Sequence, residues 1–132
     1  MSWKSLTPRE HDECVVFWDH VKIMRARDWR YHMVLRIPID QKCSIPAAMW
    51  LRAEGRERGP LDYLVACKSG NYIGMWLEFK RGKNKLSKEQ EAFVKYAEFA
   101  GYLVNVCYSA EEGILRLTEY FDKQKSKFKK AA

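Results

Sequence analysis

The sequence predicts a single α/β domain, a mixed β-sheet flanked by helices. Three observations lead there. The spacing of apolar residues switches along the chain between the helical period and the period of two, in the order α-β-α-β-β-α-β-α. The segment YLVNVCY (102–108) is a continuous apolar run of the kind found inside α/β sheets. The 132 residues suffice for one domain with a modest core, and no linker or internal repeat divides them.

The elements follow in order. Thr7 and Pro8, with Glu10 downstream, read as a helix start: Thr7 as N-cap, Pro8 in the first turn, Glu10 at the capping-box position. Val16, Phe17, Val21 and Met24 then recur at helical spacing, which predicts an amphipathic helix over residues 8–26. HMVLRIPI (32–39) is β-rich and stops at Pro38, as a strand end or edge does. PAAMWLRAE (46–54) is helical, opened by Pro46 and stopped by Gly55. LDYLVAC (61–67) and YIGMWLEFK (72–80) are strands joined by a hairpin turn at KSGN (68–71). Ser87 with Gln90 three residues on caps a helix over 87–101 that ends at Gly101, with Phe93, Val94, Ala97 and Ala100 on its buried face. After strand 102–108, Ser109 and Glu112 cap a last helix over 109–123, and residues 124–132 are expected to form a flexible basic tail.

Hydrophobic residues make up 47% and aromatics 14% of the chain, which excludes a disordered protein away from the ends. No apolar run approaches the ~20 residues of a membrane helix, and the first ten residues lack the apolar centre of a signal peptide. An intracellular protein is therefore expected. Cys14, Cys43, Cys67 and Cys107 are scattered with no CxxC pair, which argues against structural zinc and for small, reduced core residues. No glycine-rich phosphate loop is present, so no nucleotide triphosphate is expected. His11, His20 and His32 lack metal-ligand spacing, and Ser44 and Ser87 lack a His/Asp partner. The tryptophans read as core or interface residues, apart from the aromatic-basic segment Trp29-Arg30-Tyr31, which suits a DNA contact. The net charge of +7 suits a polyanionic partner, nucleic acid above all; a lysine-rich solubilising surface is the alternative.

One strand poses a chemical question. In 72–80, Met75, Leu77 and Phe79 alternate with Trp76, Glu78 and Lys80, so Glu78 and Lys80 share a face of an otherwise apolar and aromatic strand. Pairing about the KSGN turn sets Asp62 opposite the 77–79 region, so two carboxylates and a lysine converge. Adjacent carboxylates repel and raise each other's pKa; a divalent cation removes that penalty, and Mg²⁺ prefers such oxygen donors. The cation activates water and stabilises charge on a phosphate, and the lysine orients the water or neutralises that charge. Flanking Arg56, Arg58, Arg81, Lys83 and Lys85 suit contacts to nucleic-acid phosphates. A solvated Asp with a Glu–Lys strand pair reads the same spacing without chemistry.

The run from Glu54 to Phe121 resembles the VRR-NUC family of the PD-(D/E)XK nucleases. The likeness rests on ordered motifs: Gly-x-Pro-Asp before a strand, Glu-x-Lys on the next, Ser-x-x-Gln opening a helix, a Gly-Tyr strand, and a Glu-Glu helix. It extends more loosely back to about residue 10. The resemblance implies a restriction-endonuclease-like core. It also implies Asp62 and Glu78 as metal ligands, a ligand role for the Phe79 carbonyl, Lys80 as catalytic lysine, and Gln90 turned back toward the site. A further metal-binding glutamate on the first helix is implied, for which Glu10 and Glu13 compete; Glu13 is favoured because Glu10 has the capping explanation. Three positions depart from the pattern. Proline is displaced by one in Gly59-Pro60-Leu61-Asp62, Cys14 stands near the place of a glutamine, and Ile39-Asp40 replaces the usual Asn after the first strand.

The implied activity is a Mg²⁺-dependent endonuclease, with Mn²⁺ able to substitute, that cuts branched DNA such as four-way junctions. A homodimer suits two symmetric cuts. The implied setting is the cytoplasm of a bacterial cell or a phage-infected host. A flap or nicking nuclease, or a non-catalytic DNA-binding module on the same fold, are the alternatives.

Overall fold

In a computed structural model, residues 2–37, 44–55 and 60–131 are described, with the side chains of 10–37, 44–55 and 60–122. The element order is α1 (Ser2–Met24), a 3₁₀ turn (Trp29–Met33), β1 (Val34–Arg36), α2 (Ile45–Ala53), β2 (Tyr63–Val65), β3 (Gly74–Phe79), α3 (Lys88–Ala100), β4 (Tyr102–Cys107) and α4 (Ala110–Ala131). The four strands form one sheet in the order β1-β2-β3-β4. β1, β2 and β3 are antiparallel neighbours, and β3 pairs with β4 in parallel, with α3 as the crossover. This is the α/β domain with a mixed sheet that the residue pattern predicts. Among the described residues no helix is long and apolar enough to cross a membrane.

β3 is buried on both faces, and its period of two serves two cores. Met75, Leu77 and Phe79 pack with Phe17 and Val21 of α1 and with Leu117, Tyr120 and Phe121 of α4. Trp76 faces the other side, toward Ala97, Phe93 and Val94 of α3. The end of β3 is clamped by aromatic contacts: the Phe79 ring lies 5.2 Å from Phe17 and 5.8 Å from Tyr63. Gly113 makes room for it, since a Cβ there would sit 2.5 Å from the Phe79 ring.

Several boundaries differ from the sequence expectation. α1 begins at Ser2, so Thr7 does not cap it and Pro8 lies inside it. No glycine or second proline precedes Pro8 to stop the helix, which tolerates the loss of one N–H there. Residues 32–33, expected in a strand, belong to the 3₁₀ turn: Asp28 caps it by accepting the Arg30 N–H at 3.0 Å, a local bond that competes with the ladder. Pro38 and Ile39 lie outside the described residues. β2 starts at Tyr63 because the Asp62 carboxylate, rather than ladder backbone, takes the Phe79 N–H. α4 runs past residue 123 to Ala131, through a segment without Gly or Pro and rich in Lys, a good helix former. The residues expected as a basic tail from 124 thus continue that helix.

Other expectations have direct counterparts. Ser69 and Tyr72 bridge the 68–71 turn, where Gly70 has φ +57°. Pro46 lies in the first turn of α2, whose N-cap is Ser44, not anticipated from the sequence, and Ser87 with Gln90 forms a full capping box on α3, which Gly101 ends in the left-handed region at φ +109°. Cys67 and Cys107 are buried and Cys14 is half-buried; Cys43 lies outside the described residues. Trp76 is buried, but Trp29 and Trp50 are exposed.

Candidate active site

The register Tyr63↔Leu77 extends to Asp62 opposite Glu78, at the carboxyl end of β3. The two residues interlock through the backbone. The Asp62 N–H donates to Glu78 Oε1 at 3.0 Å, and the Phe79 N–H donates to Asp62 Oδ2 at 2.8 Å. Glu78 Oε2 accepts from Gln90 Nε2 at 2.9 Å and lies 3.3 Å from Lys80 Nζ. Asp62 Oδ1 lies 3.3 Å from Arg36 Nη1, an ion pair without hydrogen-bond alignment. Arg36 is held there by β1, and its guanidinium stacks 4.8 Å over the Tyr63 ring.

Gln90 serves two structures at once. Its Oε1 accepts the Ser87 N–H at 3.0 Å and so completes the α3 cap. Its Nε2 reaches Glu78 and, at 3.2 Å, the Pro60 carbonyl. The start of α3 is therefore tied to the carboxylate pair, and Gln90 is held in one orientation by bonds at both ends of its amide.

Glu78 is 4% exposed. Burial, then the charge of Asp62, pushes its pKa up to about 7, against the opposing hydrogen bond from Gln90 and the charge of Lys80. The fold thus stores one carboxylate that is poised near neutrality beside another. Such perturbed acids mark functional sites more often than structural ones.

α1 approaches from the other direction. Glu10 and Glu13 line a cleft of about 290 Å³ together with Phe79, Lys80, Arg81, Gly82 and Tyr108. Glu10 lies within the field of the pair: burial and then Asp62 raise its pKa, while Lys80, Arg36 and Arg81 lower it. The start of α1 at Ser2 removes the capping role expected of Glu10. Of the two candidate glutamates, Glu10 is therefore the one electrostatically joined to Asp62.

The basic residues divide. Arg81 is half-buried at the cleft, and its Nη1 is buried without a hydrogen-bond partner. Lys83 and Lys85 are exposed on the loop that follows. Arg56 and Arg58 lie outside the described residues. Sequence reasoning missed Arg36 and Tyr108. The parallel pairing Phe79↔Cys107 brings Tyr108 beside Lys80 at the sheet end, and the pairing Arg36↔Tyr63 sets Arg36 next to Asp62. Neither proximity follows from spacing, because both pairings close over long loops. The available signal was the shared strand end, where ligands of α/β sheets gather.

Asp62, Glu78 and Glu10 are hard oxygen donors of the kind that Mg²⁺ or Mn²⁺ takes, so the donor chemistry fits a divalent cation. Among the described residues, no three His, Cys, Asp or Glu side chains already form a closed cage. The four oxygens of Asp62 and Glu78 are instead engaged by Arg36, the Phe79 and Asp62 amides, Gln90 and Lys80.

No protein-family model and no curated protein sequence matches the chain. A solved structure described as a "VRR_NUC domain protein" is similar in fold, with a TM-score of 0.66 at 16% identity, over 84% of this chain and 88% of that one. At that identity the likeness is one of fold: this chain, with its carboxylate pair at the end of a central strand and a helix that returns a glutamine to it, folds like that VRR_NUC domain protein.

Proposed function

We propose that the protein is a Mg²⁺-dependent endonuclease that hydrolyses DNA phosphodiester bonds, most effectively in branched DNA such as four-way junctions. The observation that carries this reading is the Asp62–Glu78 carboxylate pair, with Glu78 buried and Lys80 3.3 Å from it, next to a cleft lined by Lys80, Glu10 and Arg81. Asp62 and Glu78 would hold the metal, with the Phe79 carbonyl and Glu10, rather than Glu13, as its further protein ligands. When bound, the cation supplies charge stabilisation at the phosphate and a lowered pKa for water.

The chain's own residues do the rest. Gln90 fixes the Glu78 carboxylate in one rotamer. Arg36 holds Asp62 in line from the β1 side. Lys80, whose ammonium lies 3.3 Å from Glu78 Oε2, would orient the attacking water or offset charge on the phosphate oxygen. Arg81, Lys83 and Lys85 hold neighbouring phosphates, and Arg56 and Arg58 extend that basic surface. A homodimer places two such sites on the two strands of a symmetric junction. The protein acts in the cytoplasm of a bacterial or phage-infected cell.

The test is incubation with four-way junction, flap, single-stranded and linear duplex DNA, each with Mg²⁺, Mn²⁺ or EDTA. Junction cleavage with either metal and none in EDTA is expected. Preference for a flap or a nick moves the substrate while keeping the chemistry. Tight, salt-sensitive binding with no cleavage under any metal makes the protein a non-catalytic DNA-binding module and sinks the enzyme reading.

A further inference from the structure

We propose that Tyr108 and Arg81 form a nucleotide subsite that stacks one unpaired base next to the cut, and that this subsite supplies the selectivity for branched DNA. The inference rests on the nuclease reading above, and deepens it. Tyr108 follows β4 at the sheet end and lines the cleft together with Arg81, Lys80 and Gly82. It is 45% exposed, large and aromatic. It is also held at two points: its hydroxyl donates to the Asn84 carbonyl at 3.2 Å, and its N–H donates to Glu112 Oε2 at 3.3 Å. Glu112 in turn belongs to the α4 cap, with its N–H on Ser109 Oγ at 3.1 Å. An exposed ring fixed in this way loses little freedom when a flat ligand covers it.

The neighbours select what that ligand is. Arg81 brings a guanidinium to the same cleft, a charge-assisted donor suited to a phosphate oxygen. Glu10 and Glu13 line the same cleft and repel a second phosphate. The cleft thus suits one base and one phosphate rather than a run of backbone. Its volume of about 290 Å³ is also that of a site for one small group. A base inside a duplex has both faces covered by its neighbours. A base at a branch point leaves the stack at little cost, so a stacking ring beside the catalytic carboxylates favours branched DNA over linear duplex.

The test uses the full chain in EDTA, so that binding is read without cleavage, on junctions carrying a single abasic site at each position around the branch point. For the wild type, one position should weaken binding roughly 5- to 150-fold when its base is removed. Tyr108→Leu should bind the intact junction that much more weakly and show no further loss at that position. Tyr108→Phe, which keeps the ring and loses only the bond to Asn84, should retain the abasic sensitivity. Circular dichroism checks that both variants fold. Equal abasic sensitivity of wild type and Tyr108→Leu at every position overturns the subsite. A parallel Mg²⁺ assay separates this from the nuclease reading: wild-type cleavage without a base effect leaves that reading standing and the subsite refuted, and a base effect without cleavage does the reverse.

Discussion

Asp62 and Glu78 each take a backbone N–H from the other's side of the β2–β3 pair, at 3.0 Å into Glu78 Oε1 and, from Phe79, at 2.8 Å into Asp62 Oδ2. The carboxylates replace ladder hydrogen bonds at the strand end. Glu78 lies in β3 and Asp62 immediately precedes β2, so backbone hydrogen bonds at the sheet end hold the two like charges in place.

Asp62→Asn should keep the fold and lose cleavage. The amide oxygen still accepts from Phe79, but the charge needed for the cation is gone. A loss of at least ~10²-fold in rate is expected. A variant folded by circular dichroism that cuts as fast as wild type removes Asp62 from the site.

Glu78 predicts a specific pH response of the metal-free protein. Its folded pKa, about 7, lies above the ordinary carboxyl value of 4.5, so the native state binds more protons than the unfolded chain between those values. The sign follows: this residue's contribution to stability falls as pH rises through that window and stays low above it. Denaturant unfolding in EDTA, wild type against Glu78→Gln, should show their difference shifting in favour of the variant by on the order of 1–3 kcal/mol from pH 4.5 to 8. A difference that stays flat with pH rejects a perturbed Glu78.

Lys80→Ala should cost turnover, roughly 10²–10⁴-fold, because the ammonium acts at the water or the phosphate. More Mg²⁺ cannot stand in for it, since the cation occupies a different place. Rate against Mg²⁺ concentration decides: wild-type turnover at saturating metal confines Lys80 to binding.

Glu10→Gln and Glu13→Gln should separate. Glu10 feels Asp62 directly, so its variant should need more Mg²⁺ and lose the larger share of rate. Titration of activity with metal is the measurement. A greater loss in Glu13→Gln restores the original preference for that residue.

Gly113→Ala places a methyl 2.5 Å from the Phe79 ring, at the strand end that carries Glu78 and Lys80. Overpacking of this kind costs about 1–3 kcal/mol. Thermal unfolding should show the loss, and Phe79→Leu in the same chain should recover part of it. Additive losses in the double variant exclude the contact as the cause.

Much of this protein was legible in one dimension, because local rules govern it. The Ser87–Gln90 cap, the 68–71 turn and the period of two in β3 are short-range consequences of side-chain geometry, and the hairpin offset of Asp62 from Glu78 follows from a tight turn. The helix start at Ser2 was not legible, since Thr7, Pro8 and Glu10 satisfy a capping pattern that the longer helix overrides. The choice between Glu10 and Glu13, which line one cleft, waited on where α1 crosses the sheet, because that crossing sets Glu10 within the field of Asp62. Arg36 and Tyr108 waited on pairings closed over long connections, Arg36 with Tyr63 and Phe79 with Cys107, whose register no spacing along the chain dictates. Local hydrogen bonding and periodicity thus set the elements and the carboxylate pair, and packing of distant segments onto β3 decided what surrounds them.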